Sequence, residues 1–187
     1  MKSLKLKAFA LVALLLLNPL HACAETAKGS LKKGDNAYKK GQNTEAIQHY
    51  TKAIQLDPQV AEPYDNRGRA KYDLGDKTGA MQDYNKAIQL NPQLAEPYYN
   101  RANAKYDLAD KTGALQDYNK AIQLNPKKAE AYNNRGIAKA LLGDKTGAFA
   151  DLEKAKQLYV EQGNMEGYQN AIEAKNVVSD QFAQQGK

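Results

Sequence analysis

The stretch AEPYDNRGRAKYDLGDKTGAMQDYNKAIQLNPQL, residues 61–94, is followed without a gap by AEPYYNRANAKYDLADKTGALQDYNKAIQLNPKK, residues 95–128. The two agree at 27 of 34 positions. A weaker copy starts at Ala129, and a more divergent one, starting at Ala27, runs to Pro58. Self-similarity at such a period marks stacked supersecondary units, each too small to bury its apolar face alone. It points to a binding surface rather than a catalytic centre.

Each unit reads as two helices divided by a breaker. Glu62-Pro63 opens the first helix, since a proline in the first turn forfeits no helical hydrogen bond. The helix runs to about Leu74, where Gly75-Asp76 interrupts it, and Asp76 is placed to cap the next helix by accepting from its free amides. The second helix carries Ala80, Tyr84, Ala87, Ile88 and Leu90 at spacings near three and four. Asn91-Pro92 closes it, because a residue before proline is driven out of the helical region.

This helix-turn-helix unit resembles the tetratricopeptide repeat. Counting from Ala61, the family's aromatic at position 4 is Tyr64, its small residue at 8 is Gly68 and its alanine at 20 is Ala80. Tyr84, Ala87 and Pro92 stand at 24, 27 and 32. The next unit has Tyr98, Ala102, Ala114, Tyr118, Ala121 and Pro126 at the same places. The outer units depart from the pattern: Ser30 replaces the first aromatic in one, and Leu152 and Val160 replace the second aromatic and the proline in the other. End units have one neighbour only, so looser packing is expected there. Small residues let the paired helices approach, and Tyr64, Tyr84, Tyr98, Tyr118 and Tyr132 read as core with hydroxyls reaching toward the surface.

The predicted fold is all-α. The resemblance implies a right-handed superhelix, an α-solenoid, with units at 27–60, 61–94, 95–128 and 129–162. Residues 163–187, with Tyr168, Ala171, Ile172, Val178 and Phe182 near helical spacing, read as a final helix and tail capping the open edge of the stack. No separate catalytic domain is left over.

Lys2, Lys5 and Lys7 precede an apolar run from Ala8 to Leu17, and Asn18-Pro19 follows before Ala22-Cys23-Ala24. That order predicts a secretory signal peptide over residues 1–24. The run is short for a permanent span, which needs ~20 apolar residues. Two processing routes are compatible with it. Cleavage after Ala24 releases a soluble exported protein, in the periplasm or another extracytoplasmic space. Alternatively, Leu20-His21-Ala22-Cys23 resembles a bacterial lipobox, and Cys23 is then lipidated and anchors the chain to a membrane; His21 departs from the small residue usual there. Either way this single cysteine forms no internal disulfide or metal cluster.

The whole chain carries a net charge of +6. Residues 1–24 hold three lysines and no acid, so the remainder has 24 basic against 21 acidic residues. That balance gives no special claim on nucleic acid.

In this family the first helix of each unit lines a concave groove, with positions 2, 5, 6, 9, 12 and 13 facing it. The resemblance therefore nominates Asn66, Arg69, Tyr72, Tyr99, Asn100, Asn103, Tyr106 and Asn134 as groove residues. Asn66, Asn100 and Asn134 share position 6, with Lys32 breaking the series. An amide both donates and accepts, so such a ladder suits the backbone of an extended peptide; linking neighbouring helices is the alternative use. Tyr38, Tyr72 and Tyr106 at position 12 add aromatic surface or pack between adjacent helices. Glu62, Glu96 and Glu130, with Asp65, Asp73 and Asp107, predict an acidic groove that suits a basic or neutral segment. The clamp by which chaperone-linked members hold an acidic C-terminal tail is not reproduced, since its lysine and arginine places fall on Leu31, Glu96 and Asn100, and only Asn66 fits. Arg67, Arg101 and Arg135, with Lys71, Lys105 and Lys139 one turn on, form a stripe expected to pair with acids of the next unit, with anion binding as the alternative use.

Signals for catalysis are weak. Lys77-Thr78-Gly79, recurring at Lys111 and Lys145, and Ser30-Leu31-Lys32-Lys33 echo boxes of penicillin-binding enzymes, but the triplet sits at a helix start and lacks the required strand. His49 has no second histidine or cysteine to complete a metal site. Neither a cofactor nor a catalytic set can be nominated. The sequence thus predicts a non-catalytic adaptor binding an extended or helical segment of a protein partner. Its rivals are a self-assembling structural module and a binder of envelope polysaccharide.

Overall fold

Residues 26–185 are described by the computed structural model, and among them every regular element is a helix. The first unit comprises α1 (Ala27–Lys39) and α2 (Asn43–Leu56), and the second α3 (Glu62–Asp73) and α4 (Lys77–Leu90). The third comprises α5 (Ala95–Asp107) and α6 (Lys111–Leu124), the fourth α7 (Ala129–Leu141) and α8 (Lys145–Glu161). One further helix, α9 (Met165–Gln185), closes the stack. The expected signal peptide and Cys23 lie outside the described residues, and no described helix is long and apolar enough to cross a membrane.

Local chemistry explains the boundaries. Asp76, Asp110 and Asp144 each accept a bond from the glycine amide three residues on, at 2.9 Å, satisfying an otherwise orphaned helix donor. The glycines admit this geometry: a Cβ on Gly79 would run into the cap carboxylate. The turn before each cap needs a left-handed residue, supplied by Gly75 and Gly143 at φ +85° but by Ala109, at φ 64°, in the third unit. Asn91, before Pro92, is extended and stops α4. With Val160 where that proline would stand, α8 runs on to 17 residues against 14 for α4 and α6.

One packing motif repeats along the stack. Ala46 and Tyr50 pack with Ala70 of the next unit, Ala80 and Tyr84 with Ala104, and Ala114 and Tyr118 with Ala138. The three tyrosines are 1% exposed, and burying a large apolar side chain contributes about 1.5–3 kcal/mol. Close approach of the paired helices depends on small residues: a Cβ on Gly68 would lie 2.6 Å from the Tyr84 ring. Tyr64 is also buried, whereas Tyr98 and Tyr132 are half-buried. Each of these three rings lies under the arginine three residues on, at 5.4–5.7 Å from guanidinium carbon to ring centroid.

At the C-terminal edge α9 supplies what a next unit would. Ala171 and Tyr168 pack on Ala155, Leu158 and Tyr159, while Val178 and Phe182 cover Ala140, Ala148 and Leu152. Lys175 of α9 ties to Glu153 of α8 at 2.8 Å.

Candidate functional site

The first helices of the units place their position-9 and position-12 side chains along one face, where three adjoining clefts merge. The largest, about 520 Å³, is lined by Asn66, Arg69, Tyr99 and Asn100 together with Glu62, Asp65, Glu96, Lys128 and Glu130. A small one of about 140 Å³ shares Arg69 and Asn100 with it and adds Tyr72 and Asn103. The third, about 260 Å³, continues through Tyr72 and Asn103 to Tyr106, Asn134 and Ile137. The eight residues nominated from sequence each line one of these clefts, which share walls across units two to four.

The asparagines do more linking than the ladder picture allows. Asn66 donates to Asp35 and Asn100 to Asp65, each at 3.0 Å, and Asn134 donates to Asn103 at 3.0 Å and to the Tyr99 hydroxyl at 3.2 Å. Every one of these bonds crosses to the preceding unit. Asp35 and Asn103 also accept from the core tyrosines Tyr50 and Tyr118, at 3.0 and 2.7 Å. In the second unit the corresponding place is Arg69, which is why Asn100 turns to Asp65 instead. The Asn66 and Asn100 carbonyl oxygens keep their acceptor capacity, while Asn134 accepts from Asn133 at 3.2 Å.

A second inter-unit rung lies at positions 12 and 13. Tyr38 donates to Asp73 at 2.7 Å and Tyr72 to Asp107 at 2.6 Å. Burial, and then the bonded carboxylate, raise the pKa of both tyrosines. Partial burial pushes Asp107 up, but the bonds from Tyr72 and Lys77 outweigh it and hold its carboxyl below the usual range. The rung ends at Tyr106, because the next position 13 is Leu141. Leu141 is 42% exposed there.

The groove is less acidic than the carboxylate count predicts. Lys128, absent from the sequence-based set, reaches over the Tyr99 ring at 4.4 Å and bonds both Glu96 oxygens at 2.9 Å. Its signal lay in the comparison of copies, since Lys127-Lys128 replace Gln93-Leu94 between otherwise near-identical units. Arg69 lies over the Tyr38 ring at 4.8 Å. Asp65 is buried, and desolvation raises its pKa to about 6 despite the Asn100 bond and nearby Arg69.

The expected pairing of the arginine stripe with the next unit needs correction. Arg67 holds Asp83 of its own unit through two bonds, at 2.9 and 2.6 Å, and Lys71 meets the same carboxylate at 2.8 Å. Arg101 and Lys105 repeat this on Asp117, as do Arg135 and Lys139 on Asp151. The remaining guanidinium nitrogen reaches Thr51, Asn85 or Asn119 of the preceding unit. Sequence spacing alone does not say that position 23 of the second helix lies directly across from positions 7 and 11 of the first. The stripe is therefore internal framework.

The residues that echoed catalytic boxes are structural. The Ser30 hydroxyl is fully buried against the first unit's core with no bonding partner, and Lys77-Thr78-Gly79 is the first turn of α4 beneath its Asp76 cap. His49 pairs with Glu45 on its own helix at 3.6 Å. Among the described residues no group of three His, Cys, Asp or Glu side chains is placed to hold a metal ion.

Known proteins carry the same architecture. The first TPR of Spaghetti (RPAP3), solved bound to the HSP90 peptide SRMEEVD, is similar at 31% identity over 63% of this chain and 93% of its own, with a TM-score of 0.61. The Arabidopsis OM64 TPR domain is 29% identical over 60% of this chain and 93% of its own, at 0.59. TTC0263, a thermophilic TPR protein of Thermus thermophilus, is 20% identical over 84% of this chain and 97% of its own, at 0.63, and shows the fold alone. No curated protein sequence matches the chain. The family described as TPR repeat matches residues 34–75, 68–108 and 110–143, more than half of the chain. With that match, the 34-residue helical units and the solenoid they build, the chain belongs to the TPR repeat family.

Proposed function

We propose that this protein is an exported, non-catalytic adaptor that holds an extended or helical segment of a partner protein in the groove across units two to four. The observation that carries the reading is the continuity of the three clefts through Arg69, Tyr72, Asn100 and Asn103. Along that path the Asn66 and Asn100 carbonyls are placed to accept backbone amides, Arg69 offers charge-assisted donors, and Tyr106 and Ile137 offer an apolar end.

A basic or neutral segment suits this groove better than an acidic tail. Glu62, Glu96, Glu130 and Asp65 outnumber Arg69 and Lys128 at its widest part, and like charges across an interface oppose binding. The bound HSP90 peptide of the RPAP3 neighbour is acidic, so that neighbour supports peptide binding as the mode but not that peptide as the ligand. Export, by signal cleavage or by a lipid on Cys23, rests on the order of residues 1–24. End-to-end self-assembly is disfavoured, because α9 occupies the edge it would need.

Site-specific photocrosslinking in intact cells tests the adaptor reading. A probe in place of Tyr106 is expected to capture a partner that a probe in place of Gln89, exposed on α4, does not. Capture from Gln89 alone would move the interaction to the opposite face, and capture of no protein from either would remove the adaptor.

A further inference from the structure

We propose that the outer face of α1 is a docking surface for an anionic lipid membrane. Lys28, Lys32, Lys33, Lys39 and Lys40 are all exposed, and at 3.6 residues per turn they share one side of the helix with Asn36. The opposite side carries the buried Ser30, Gly34 and Ala37. Lys28, Lys32 and Lys39 hold positions 2, 6 and 13 of the first unit, outside the clefts of units two to four, and the inference stands independently of the adaptor reading.

The lysine face is the one on which a preceding unit would stack. Position 10 is Ala70, Ala104 and Ala138 in the later units, each fully buried against the unit before it, and Asn36 here. Position 13 is Asp73, Asp107 and Leu141 there, and Lys39 here; position 6 is asparagine in the later units and Lys32 here. A terminal face must be polar to keep a solenoid soluble, but solubility does not require a single sign of charge. The other terminal helix, α9, meets that need with both signs, Glu166, Glu173 and Asp180 beside Lys175. On α1 the only acid is Asp35, and it is engaged by Tyr50 and Asn66. Among the described residues, none of Lys28, Lys32, Lys39 or Lys40 pairs with a carboxylate. From residue 26 to 60 six lysines meet three acids, whereas beyond residue 60 there are 18 basic and 17 acidic residues, so the charge excess is concentrated in this unit.

Position along the chain selects a membrane among anionic partners. The apolar run Ala8–Leu17 ends ten residues before α1 begins, so the sequence read as directing the chain to a membrane adjoins the lysine face. Cys23 lies four residues before Ala27, a reach of at most ~14 Å. Attachment at either place leaves a tether short enough for the lysines to come within the ~8 Å range over which a charged surface acts at physiological salt.

The test is flotation of the full chain with phosphatidylcholine vesicles, with and without phosphatidylglycerol. Wild type is compared with the K28Q/K32Q/K39Q/K40Q variant and with the corresponding Lys→Arg variant, and helical content is checked by circular dichroism. Residues 1–25 are common to all three, so differences isolate α1. Wild type and the arginine variant are expected to partition onto anionic vesicles roughly tenfold or more above the glutamine variant. The excess is expected to vanish at high salt and on neutral vesicles. Equal partition of wild type and glutamine variant overturns the proposal, as does wild-type partition insensitive to salt, a readout that needs no variant. Tighter, lysine-dependent binding to a soluble DNA duplex than to the vesicles would also overturn it and assign the face to nucleic acid.

Discussion

Asp65 shows how one side chain sets a pH response. Desolvation raises its pKa to about 6 from 3.8, so the folded state holds this proton more tightly than the unfolded chain does. Its ionisation therefore lowers stability progressively as pH rises from about 4 to about 6. D65N is expected to be more stable than wild type at pH 7 by about 3 kcal/mol, with the gap closing near pH 4. Urea unfolding at the two pH values measures this, and a gap that does not change with pH would contradict it. Ala109 is a second local cost. At φ 64° it occupies the turn place that is Gly75 and Gly143 in the neighbouring units, where a Cβ costs about 1–2 kcal/mol. A109G is expected to raise stability by about 1 kcal/mol in the same assay.

Between helices, buried and exposed ion pairs carry different weights. Asp117 is buried and held by Arg101 and Lys105, so D117N strands two cations and is expected to cost about 3 kcal/mol. Asp107 makes a similar pair with Lys77 at 3.0 Å, but at the surface, and D107N is expected to cost less than about 1 kcal/mol. Thermal melts of the two variants check the order. Helix boundaries were legible in sequence because each depends on neighbours in the chain: Asp76 as a cap, Gly75 as a left-handed turn, Pro92 as a stop. The partners of Arg101 were not, because Asp117 is 16 residues away and adjacent only once α5 and α6 pack.

Over the whole stack, α9 acts as the terminal unit. V178D places a charge in the seam with Ala140, Ala148 and Leu152 and uncovers an edge like those on which other units stack. The variant is expected to melt earlier than wild type and to show concentration-dependent mass in light scattering. An unchanged melting temperature and a constant monomer mass would mean that α9 is not needed to close the stack. Charge placement also belongs to this scale. A chain-wide balance read as nearly even, yet the fold gathers lysines on one end and carboxylates along the groove.

The sequence by itself determined the repeat, the two-helix unit and the alanine and tyrosine core, because periodicity and local backbone rules act within about one unit of chain, and its resemblance to the family nominated the groove positions. Only the tertiary structure decided how those groove residues are used. Asn66, Asn100 and Asn134 bind carboxylate or amide oxygens of the preceding unit, Lys128 neutralises Glu96, and Asp65 is buried. Apart from the Lys128–Glu96 pair, which closes within the third unit, those outcomes depend on which side chains from adjacent units meet in a low-dielectric seam, where an unpaired polar group is costly. Contacts of that kind are set by stacking geometry, which no single 34-residue copy contains.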